Sequence, residues 1–506
     1  MILLSTNELT SAEELIISNA SNAQKAYQEF SQEQVDHIVK IVAEKVQKHS
    51  LELAKMAVAE TGMGVVEHKE MKNNIASLEI YKSIKDEKTV GIIREDFRSK
   101  IVEMAYPFGL VLAITPVTNP TSTAIFKTLI SLKTQNAVIF SPHPHAVKST
   151  IAALKICHDA AVEAGAPEGL IGWISEPTMG KTRELMRHKK VNLILATGGS
   201  GLVKAAYSSG KPAYGVGPGN VPVYIDKNAN VIQAAKFIAE SKAFDNSTLC
   251  STEQAIVVHA SVKRIFMNEL QKHSVYVLND FEKQKVARII SPEIGKLNAE
   301  IVGKSALAIA AMVGIHVPKE TRVLVAEESG IGKKFPFSVE KLSPILGLYT
   351  AKDEDDGIEI CSGLLDIGGR GHTFAIHAND NRVVKKFAKQ MPVSRVIVNT
   401  YSSIGAPGGS TGLTPSLTLG CGSYGGNITG DNITAKHLIN IKRIATGIKE
   451  VKIPFSKSDH HLEEFTSNRS EPLESIVNKV IQDSKASVDS ELVLKLVKNV
   501  IQNYSN

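Results

Sequence analysis

The stretch VNLILATGGSGLVKAAYSS (191–209) joins an apolar run to a helical pattern through a glycine-rich turn. The apolar run predicts a strand that is buried on both faces, as strands of parallel sheets are. Four more apolar runs of this kind occur on either side of it, at 109–116, 136–142, 169–175 and 221–226. Helical patterns such as 146–165 separate them. Alternation of buried strands with helices predicts an α/β fold built on a mainly parallel sheet.

A second α/β region follows the first. It begins near a helical pattern at 234–246 and continues through further apolar runs, at 254–260, 321–327, 374–378 and 395–400. Two such regions in a chain of 506 residues predict two α/β lobes with a cleft between them. The first 80 residues are predicted to be helical. Ser31 begins one helix with apolar residues on one face, at Val35, Ile38, Val39, Val42 and Val46.

Composition excludes several classes of protein. Lys and Arg number 58 against 52 Asp and Glu, and the chain has one Trp and no basic tail, so no nucleic-acid partner is expected. No run of 18 apolar residues predicts a membrane helix, and the N-terminus does not resemble a signal peptide. The four cysteines are widely spaced without a C-x-x-C, so neither a metal site nor a disulfide scaffold is expected. These features predict a cytoplasmic protein.

Cys250 is the first candidate for a nucleophile. It lies in a short polar turn between a predicted helix and a predicted strand, where backbone N–H groups can stabilise a thiolate. The alternative is a small buried hydrophobic residue, which most free cysteines are. Cys421 is the rival nucleophile, because it lies in a Gly-, Ser- and Thr-rich loop (404–427) predicted to line the cleft. Cys157 and Cys361 are predicted to be helical, with Cys157 in the core.

Two glycine clusters, 196–201 and 214–220, are candidates for contact with an anionic ligand. The first directly follows a predicted strand and precedes a helix, which is the geometry for an anion at a helix N-terminus. It is not a G-x-G-x-x-G motif, and a tight turn needed only for packing is the alternative.

Several longer motifs make the chain similar to a known family. They are AETGMGVVEHK, ITPVTNPTSTAIFKTLISLKTQNAVIFSPHP, ILATGGSGLVKAAYSSGKPAYGVGPGN, KAFDNSTLCSTEQ, EKLSP, GGRGHT and PSLTLGCGSYGGN, in this order between about 30 and 445. The chain resembles the aldehyde dehydrogenase superfamily. Within it, the chain is similar to the CoA-acylating branch, which includes the aldehyde dehydrogenase half of bifunctional aldehyde–alcohol dehydrogenases.

The resemblance implies an aldehyde dehydrogenase-like fold and assigns expected roles residue by residue. Cys250 matches the nucleophile, and Asn119 matches the amide that binds the developing oxyanion together with the Cys250 N–H. His372 matches a histidine near the active site. It is either an acceptor of the CoA thiol proton or a structural histidine. The expected cofactor-binding residues are Thr197, Gly198, Gly199 and Ser200 at the pyrophosphate, Glu340 at the nicotinamide ribose, Pro142 and His143 near the adenosine ribose, and Gly217.

One departure from the wider superfamily bears on the reaction. Hydrolytic members have a segment with a water-activating Glu, and YGVGPGN (214–220) has no carboxylate there. The resemblance therefore implies that CoA, not water, accepts the acyl group from a Cys250 thioester, with NAD as hydride acceptor. NADP is not excluded, since 141–146 contains no Asp or Glu. A hydrolytic dehydrogenase and a non-catalytic shell-binding protein are the alternatives.

The aldehyde is expected to be small and neutral, with acetaldehyde first. The segment 398–412, predicted to border the acyl pocket, contains no Arg or Lys, although Arg370 and Arg395 lie nearby in sequence. Propionaldehyde, succinate semialdehyde and sulfoacetaldehyde are the alternatives among relatives.

The resemblance also implies a domain layout and a homodimer or larger homo-oligomer. A cofactor-binding domain (1–233) would carry an oligomerisation hairpin at 90–106, a catalytic domain would cover 234–427, and 428–455 would return to the first lobe. No iron-dependent alcohol dehydrogenase domain is expected.

A linker is predicted at 456–472, followed by a repeated amphipathic pattern, in which 474–484 aligns with 494–504. The tail, 473–506, resembles encapsulation peptides that direct enzymes into bacterial microcompartments. A shell protein is thus an expected partner of 473–504. A helix docked on its own enzyme or at an oligomer interface is the alternative.

Overall fold

The structure is a computed structural model that describes residues 8–453, 472–484 and 489–504. The chain divides into two compact units, with the boundary between Ala445 and Thr446. The predicted linker at 456–472 lies outside the described residues except for Pro472.

The α-helices alternate with strands through most of the first unit. In chain order they are α1 (Ser11–Tyr27), α2 (Gln32–Lys48), α3 (Ser50–Thr61), α4 (Val66–Asn74), α5 (Ile80–Ile84), α6 (Pro120–Lys133), α7 (Val147–Glu163), α8 (Met179–Arg187), α9 (Ser200–Tyr207), α10 (Val231–Ala243), α11 (Lys263–Gln271), α12 (Asp280–Ile290), α13 (Ala306–Met312), α14 (Glu354–Ile367), α15 (Asn381–Gln390), α16 (Ser402–Gly405), α17 (Leu473–Ser484) and α18 (Ser490–Tyr504). A π-helical turn, Ile75–Glu79, joins α4 to α5.

The strands form three separate sheets. In chain order they are β1 (Gly91–Asp96), β2 (Ile101–Pro107), β3 (Leu110–Ile114), β4 (Ala137–Ser141), β5 (Ile171–Trp173), β6 (Val191–Thr197), β7 (Ala213–Val216), β8 (Val221–Ile225), β9 (Glu253–His259), β10 (Val275–Val277), β11 (Val323–Glu327), β12 (Ile345–Ala351), β13 (Gly371–His377), β14 (Val393–Val398) and β15 (Ile439–Ala445).

A five-stranded parallel sheet has the order β5-β4-β3-β6-β7. Its central strands β3 and β4 are buried along their whole length, as their continuous apolar runs predict. Helix α2 covers part of its core. Ser31 caps α2 in a capping box with Gln34, and the five predicted apolar residues of this helix are all buried. The predicted strands at 109–116, 136–142, 169–175 and 191–199 are confirmed in this sheet.

A seven-stranded parallel sheet has the order β10-β11-β12-β9-β8-β13-β14. The predicted runs of the second region form β9, β11, β13 and β14, which confirms two α/β sheets. Strand β8 also belongs here, although its run at 221–226 was predicted with the first region, so the second sheet begins before residue 234. The predicted domain boundary at 233 stays a prediction. Every residue of β8 is buried, and an apolar run of this kind fits the centre of either sheet equally well.

A small antiparallel sheet has the order β1-β2-β15. The hairpin β1–β2 lies at the predicted 90–106, and β15 pairs with it from the far end of the first unit. Ile92, Phe97 and Ile444 are exposed at this sheet and its turn. Its role in oligomerisation stays a prediction.

The second unit contains α17 and α18, which contact each other. Lys498 lies 3.7 Å from the Glu474 carboxylate across the pair. Several apolar residues of both helices are exposed, among them Val480, Leu496 and Val500. No helix in the described ranges has both the length and the apolar composition needed to cross a bilayer.

Candidate active site

Cys250 lies in a strained turn between α10 and β9. Three consecutive residues of this turn, Asp245, Asn246 and Ser247, have positive φ angles of 47°, 50° and 65°. Asp and Asn tolerate this conformation better than most residues, but three in sequence need support from tertiary contacts. The Asp245 N–H donates to His68 Nδ1 at 2.8 Å, and its carboxylate accepts the Val65 N–H at 2.8 Å. Helix α4 and the residue before it therefore hold the turn in place.

His372 is the immediate neighbour of the Cys250 thiol. It is buried near the start of β13, with Nε2 3.1 Å from Cys250 Sγ and Nδ1 2.9 Å from Thr373 Oγ1. Arg395 Nη1 donates to the His372 carbonyl at 2.8 Å and so fixes the backbone that carries the ring. The structure thus brings together two of the three residues predicted to be catalytic.

The Cys250–His372 pair is neutral at physiological pH. Burial, with a further contribution from Glu340, raises the pKa of Cys250 to about 12. Burial, with a further contribution from Arg395, lowers the pKa of His372 to about 3. The arrangement that satisfies both groups has the thiol donating to Nε2 and the Nδ1–H donating to Thr373. The imidazole is therefore placed to take the thiol proton.

Asn119, at the N-terminus of α6, reaches the same turn. Its Nδ2 donates to the Thr248 carbonyl at 3.1 Å and to Thr118 Oγ1 at 3.2 Å. Its Oδ1 accepts from Lys72 Nζ. One amide N–H therefore faces the segment that leads into Cys250, and the role of Asn119 as an oxyanion donor stays a prediction.

A cluster of buried charged side chains contacts this turn, and the sequence did not predict it. Lys69 and Lys72, one turn apart on α4, both contact the Asp245 carboxylate. Burial lowers the pKa of Lys72 to about 7. Burial alone would raise the pKa of Asp245, but Lys72 and Lys69 lower it to about 2. These residues lie within the motifs AETGMGVVEHK and KAFDNSTLCSTEQ or next to them, yet a sequence does not reveal that two lysines are buried.

The first glycine cluster forms an open turn at the end of β6. Gly199 caps α9 without a side-chain hydrogen bond, so the first N–H groups of the helix have no side-chain cap. A Cβ at Gly199 or Gly201 would meet nothing within 4 Å, and Gly198 packs on Leu202. Thr197 Oγ1 is buried without a hydrogen-bond partner in the described residues. Thr197, Gly198, Gly199 and Ser200 therefore form a turn suited to an anionic ligand.

A cavity of about 380 Å³ lies beside this turn, between α8 and α9. Its cationic residues are Arg183, Arg187 and Lys204, and no carboxylate lines it. None of the three forms an ion pair with a carboxylate of residues 8–453. Such a cavity attracts a phosphate-bearing ligand. The spacing of these cations on two neighbouring helices was a signal that the sequence analysis did not use.

The second glycine cluster lies against the Cys250–His372 pair. A Cβ at Gly219 would be 2.1 Å from the Cys250 carbonyl oxygen and 3.2 Å from His372 Cγ, so only glycine fits. The Gly219 N–H donates to Glu340 Oε1 at 2.8 Å. Burial raises the pKa of Glu340 to about 7. Gly217, two residues earlier, has open space around its Cα.

Pro142 and His143 follow β4 at the carboxyl edge of the sheet that also carries Thr197. Strand β3 lies between β4 and β6, so the two segments are at the same edge, one strand apart. Pro142 is buried and His143 is half-buried, with its ring 5.4 Å from that of His145. Burial lowers the pKa of His143.

The other three cysteines are buried. Cys421 packs beside β13 with its Sγ 3.5 Å from the Leu419 carbonyl oxygen, and Arg395 Nη2 contacts the neighbouring Gly420 carbonyl. Cys157 lies in α7 and Cys361 in α14, as predicted. Cys250 is the one cysteine with partial exposure, and the described residues contain no group of His, Cys, Asp and Glu suited to a metal ion.

Comparisons with known proteins agree on one family. A model described as "Aldehyde dehydrogenase family" matches residues 6–311. An aldehyde-alcohol dehydrogenase of Clostridium acetobutylicum is 48% identical over 428 residues, which are 84% of this chain and 49% of that protein. The chain thus spans about half the length of this and several other curated relatives that it matches.

Two solved structures are also similar. An acetylating aldehyde dehydrogenase from Geobacillus thermoglucosidasius has a TM-score of 0.86 and 50% identity, with 87% of this chain and 97% of that chain covered. A propionaldehyde dehydrogenase from a fucose utilisation bacterial microcompartment of Clostridium phytofermentans has a TM-score of 0.77 and 31% identity, covering 85% and 96%.

Proposed function

The chain belongs to the aldehyde dehydrogenase family, and from that membership we propose that it is an NAD-dependent, CoA-acylating aldehyde dehydrogenase. It converts a short aldehyde, CoA and NAD⁺ reversibly to acyl-CoA, NADH and a proton. The observation that carries the proposal is the Cys250–His372 contact of 3.1 Å, beside a glycine segment that has no carboxylate of its own. The acetylating aldehyde dehydrogenase from Geobacillus thermoglucosidasius supports the same class.

The first half of the reaction acylates Cys250. His372 Nε2 takes the thiol proton, and the Cys250 sulfur attacks the aldehyde carbonyl to form a thiohemiacetal. Asn119 Nδ2 and the Cys250 N–H are the donors for the oxygen that becomes negative. Bound NAD supplies the acceptor for the hydride that leaves the former aldehyde carbon. Loss of this hydride leaves a thioester on Cys250, and His372 releases the thiol proton to solvent before CoA reacts.

The second half transfers the acyl group. The CoA thiol gives its proton to His372 and its sulfur attacks the thioester; acyl-CoA leaves, and the Cys250 sulfur takes this proton back from His372. This transfer breaks the thioester on Cys250 and forms a thioester on CoA. Its free-energy change is therefore small, and the acyl transfer is reversible. The imidazole is unprotonated before each half, because burial lowers the pKa of His372. The same low pKa makes it a weak base, so the thiol proton moves only as the sulfur–carbon bond forms.

The residues present fit a dinucleotide and CoA. The unpartnered Thr197 hydroxyl and the open turn at Gly199 fit a pyrophosphate, so Thr197, Gly198, Gly199 and Ser200 would hold that group. Glu340 would hold the nicotinamide ribose next to Gly217, and Pro142 and His143 would border the adenosine ribose. The cationic cavity of Arg183, Arg187 and Lys204 suits the phosphates of either ligand. NADP is the alternative to NAD.

Acetaldehyde is the proposed substrate. Arg395, the cation nearest to His372, donates to the His372 and Gly420 carbonyls and to Asn432 Oδ1, so its guanidinium is occupied. Arg370 is paired with Asp366. Arg395 is therefore not free to bind a carboxylate or sulfonate, which favours a small neutral aldehyde over succinate semialdehyde or sulfoacetaldehyde. Propionaldehyde is the second candidate, as in the microcompartment neighbour.

The molecule that accepts the acyl group from Cys250, CoA or water, distinguishes the proposed activity from a hydrolytic one. With acetaldehyde and NAD⁺, we expect NADH formation at 340 nm to require CoA and to yield acetyl-CoA in equal amount. Equal NADH formation without CoA would indicate a hydrolytic enzyme. No NADH under either condition, with propionaldehyde also tested, would indicate a non-catalytic protein.

A carboxylate introduced at Gly217 is expected to increase thioester hydrolysis. The site has room for a side chain and no positive φ, and the segment lies next to Cys250. Gly217→Glu should therefore raise the ratio of free acid to acyl-CoA at saturating CoA, because it supplies a base for water. Gly217→Gln is the matched control without a base. Equal ratios in the two variants would contradict the explanation.

We propose that the enzyme forms a homodimer or larger homo-oligomer through the β1-β2-β15 sheet. The exposed apolar residues there support this, since apolar surface at a sheet is commonly covered by a second subunit. We also propose that the enzyme works in the cytoplasm inside a microcompartment, with the segment 473–504 binding a shell protein.

Removal of the tail is expected to leave a working enzyme that no longer enters shells. The first unit ends at Ala445, so a chain ending at Ile453 retains its sheets and site. Residues 485–506 fused to a fluorescent protein should enter shells, since Leu496 and Val500 expose their side chains. The double variant Leu496→Asp/Val500→Asp is the control and should stay diffuse. An inactive truncated enzyme, or a diffuse unmodified fusion in cells that make shells, would contradict the proposal.

A further inference from the structure

Helix α4 carries two buried lysines toward the active-site turn. Lys69 and Lys72 are only 2% and 3% exposed. Two buried ammonium groups are costly unless each is fully hydrogen-bonded, and both use the Asp245 carboxylate. Their remaining contacts differ. Lys69 Nζ donates to the Thr118 carbonyl at 2.8 Å, whereas Lys72 Nζ donates to Asn119 Oδ1 and, at 3.2 Å, to Thr248 Oγ1.

The contact with Lys72 determines which way the Asn119 amide faces. An ammonium group has three donors and no acceptor, and the three acceptors around Lys72 Nζ match them. If the amide were rotated by half a turn, its NH₂ would face this ammonium, leaving donors opposed in a buried site. The oxygen of Asn119 is therefore held against Lys72, and Nδ2 is directed to the Thr248 carbonyl, two residues before Cys250.

We propose that Lys72 is a positioning residue for oxyanion binding: it fixes the Asn119 amide so that one N–H of its Nδ2 faces the Cys250 turn. Asp245 also accepts a hydrogen bond from Lys72, and its carboxylate accepts one from the Thr248 hydroxyl, which closes the network. Lys72 touches no reacting atom and acts through Asn119. The inference rests on the proposed function, since it assigns the residue that orients the oxyanion donor in that reaction.

Lys69 provides a matched control in the same helix. It has the same burial and the same carboxylate partner, but its other partner is a backbone carbonyl and not the Asn119 amide. Lys69→Met and Lys72→Met each remove one ammonium and leave Asp245 with the other. An effect that comes only from a disturbed ion pair will be similar in both variants.

The experiment measures CoA-dependent NADH formation from acetaldehyde in the full chain. We expect Lys72→Met to lower kcat by about 10- to 100-fold with little change in KM, because an oxyanion donor is misdirected and not removed. Lys69→Met should lower kcat by less than about threefold, because Asn119 keeps its partner. The double variant Lys72→Met/Asn119→Ala should have the same kcat as Asn119→Ala alone. The rate of Cys250 alkylation by iodoacetamide, which forms no oxyanion, should be unchanged in Lys72→Met.

Several results would overturn the inference. The first is that the losses of kcat in Lys72→Met and Asn119→Ala multiply in the double variant. The second is that Lys69→Met loses as much kcat as Lys72→Met, and the third is that Lys72→Met retains full kcat. If Lys72→Met does not fold, Lys72→Gln takes its place, with the same order of effects expected. An unmodified enzyme that makes no acyl-CoA would instead overturn the proposed function, so the two failures are distinguishable.

Discussion

Cys250→Ala is expected to abolish both aldehyde oxidation and acyl-CoA reduction. In the proposed mechanism one sulfur carries the acyl group in both directions, so without that sulfur no thiohemiacetal and no thioester forms. The remaining donors and binding residues do not replace a nucleophile. We therefore expect a rate that is indistinguishable from that without enzyme, measured as NADH formation and as acetyl-CoA-dependent NADH oxidation.

Cys421→Ala is the matched control for this experiment. Cys421 is buried, and its sulfur lies against the Leu419 carbonyl, so it is not accessible to an aldehyde. Its replacement should retain most of the activity. Turnover by Cys250→Ala, or an inactive Cys421→Ala enzyme that is still folded by circular dichroism, would show that the nucleophile is assigned wrongly.

His372→Ala is expected to lower the rate of NADH formation by about 10²- to 10⁴-fold at neutral pH, the range for loss of a general base.

The same variant should also change how the rate of NADH formation depends on pH. The low pKa of His372 keeps the imidazole neutral throughout pH 6–9, so the unmodified enzyme should respond weakly to pH there. Without the imidazole the thiol must ionise unaided. Because its pKa is raised to about 12, the rate of the variant should rise about tenfold per pH unit over this range.

The test of His372 uses pH–rate profiles and addition of imidazole. Free imidazole should partly restore the alanine variant, because it can enter the space left by the ring and accept the thiol proton. His377→Ala is the control, since it removes another buried histidine from the same strand, β13. A flat pH profile for His372→Ala, or an equal loss in His377→Ala, would leave His372 with a structural role alone.

The seven-stranded sheet shows that an apolar pattern predicts a strand but does not predict the sheet to which it belongs. Alternating apolar runs predict strands β3, β4, β6, β9, β11, β13 and β14, because burial on both faces requires continuous apolar sequence. The same property hides which sheet a strand joins. Strand β8 is apolar throughout, and only its pairing with β9 and β13 places it in the second sheet.

In the candidate site, too, the sequence predicted some residues, and others were found only in the structure. The local sequence identifies Cys250 as a thiol in a polar turn, and the family motifs indicate Asn119 and His372. The cluster of Lys69, Lys72 and Asp245 was not predicted. Lysines in a helix are usually solvated, and the burial of these two follows from packing against a turn more than 170 residues away.

By itself, the sequence determined the strands and helices, the glycine turns and the family, since each depends on neighbouring residues or on whole motifs. Only the tertiary structure decided which of the four cysteines can be reached, that Arg395 is occupied by backbone carbonyls, and which way the Asn119 amide faces. The physical reason is that accessibility, pKa and hydrogen-bond partners depend on groups that are distant in sequence. His372 and Cys250 are 122 residues apart in the chain, and folding alone brings the ring nitrogen to 3.1 Å from the sulfur.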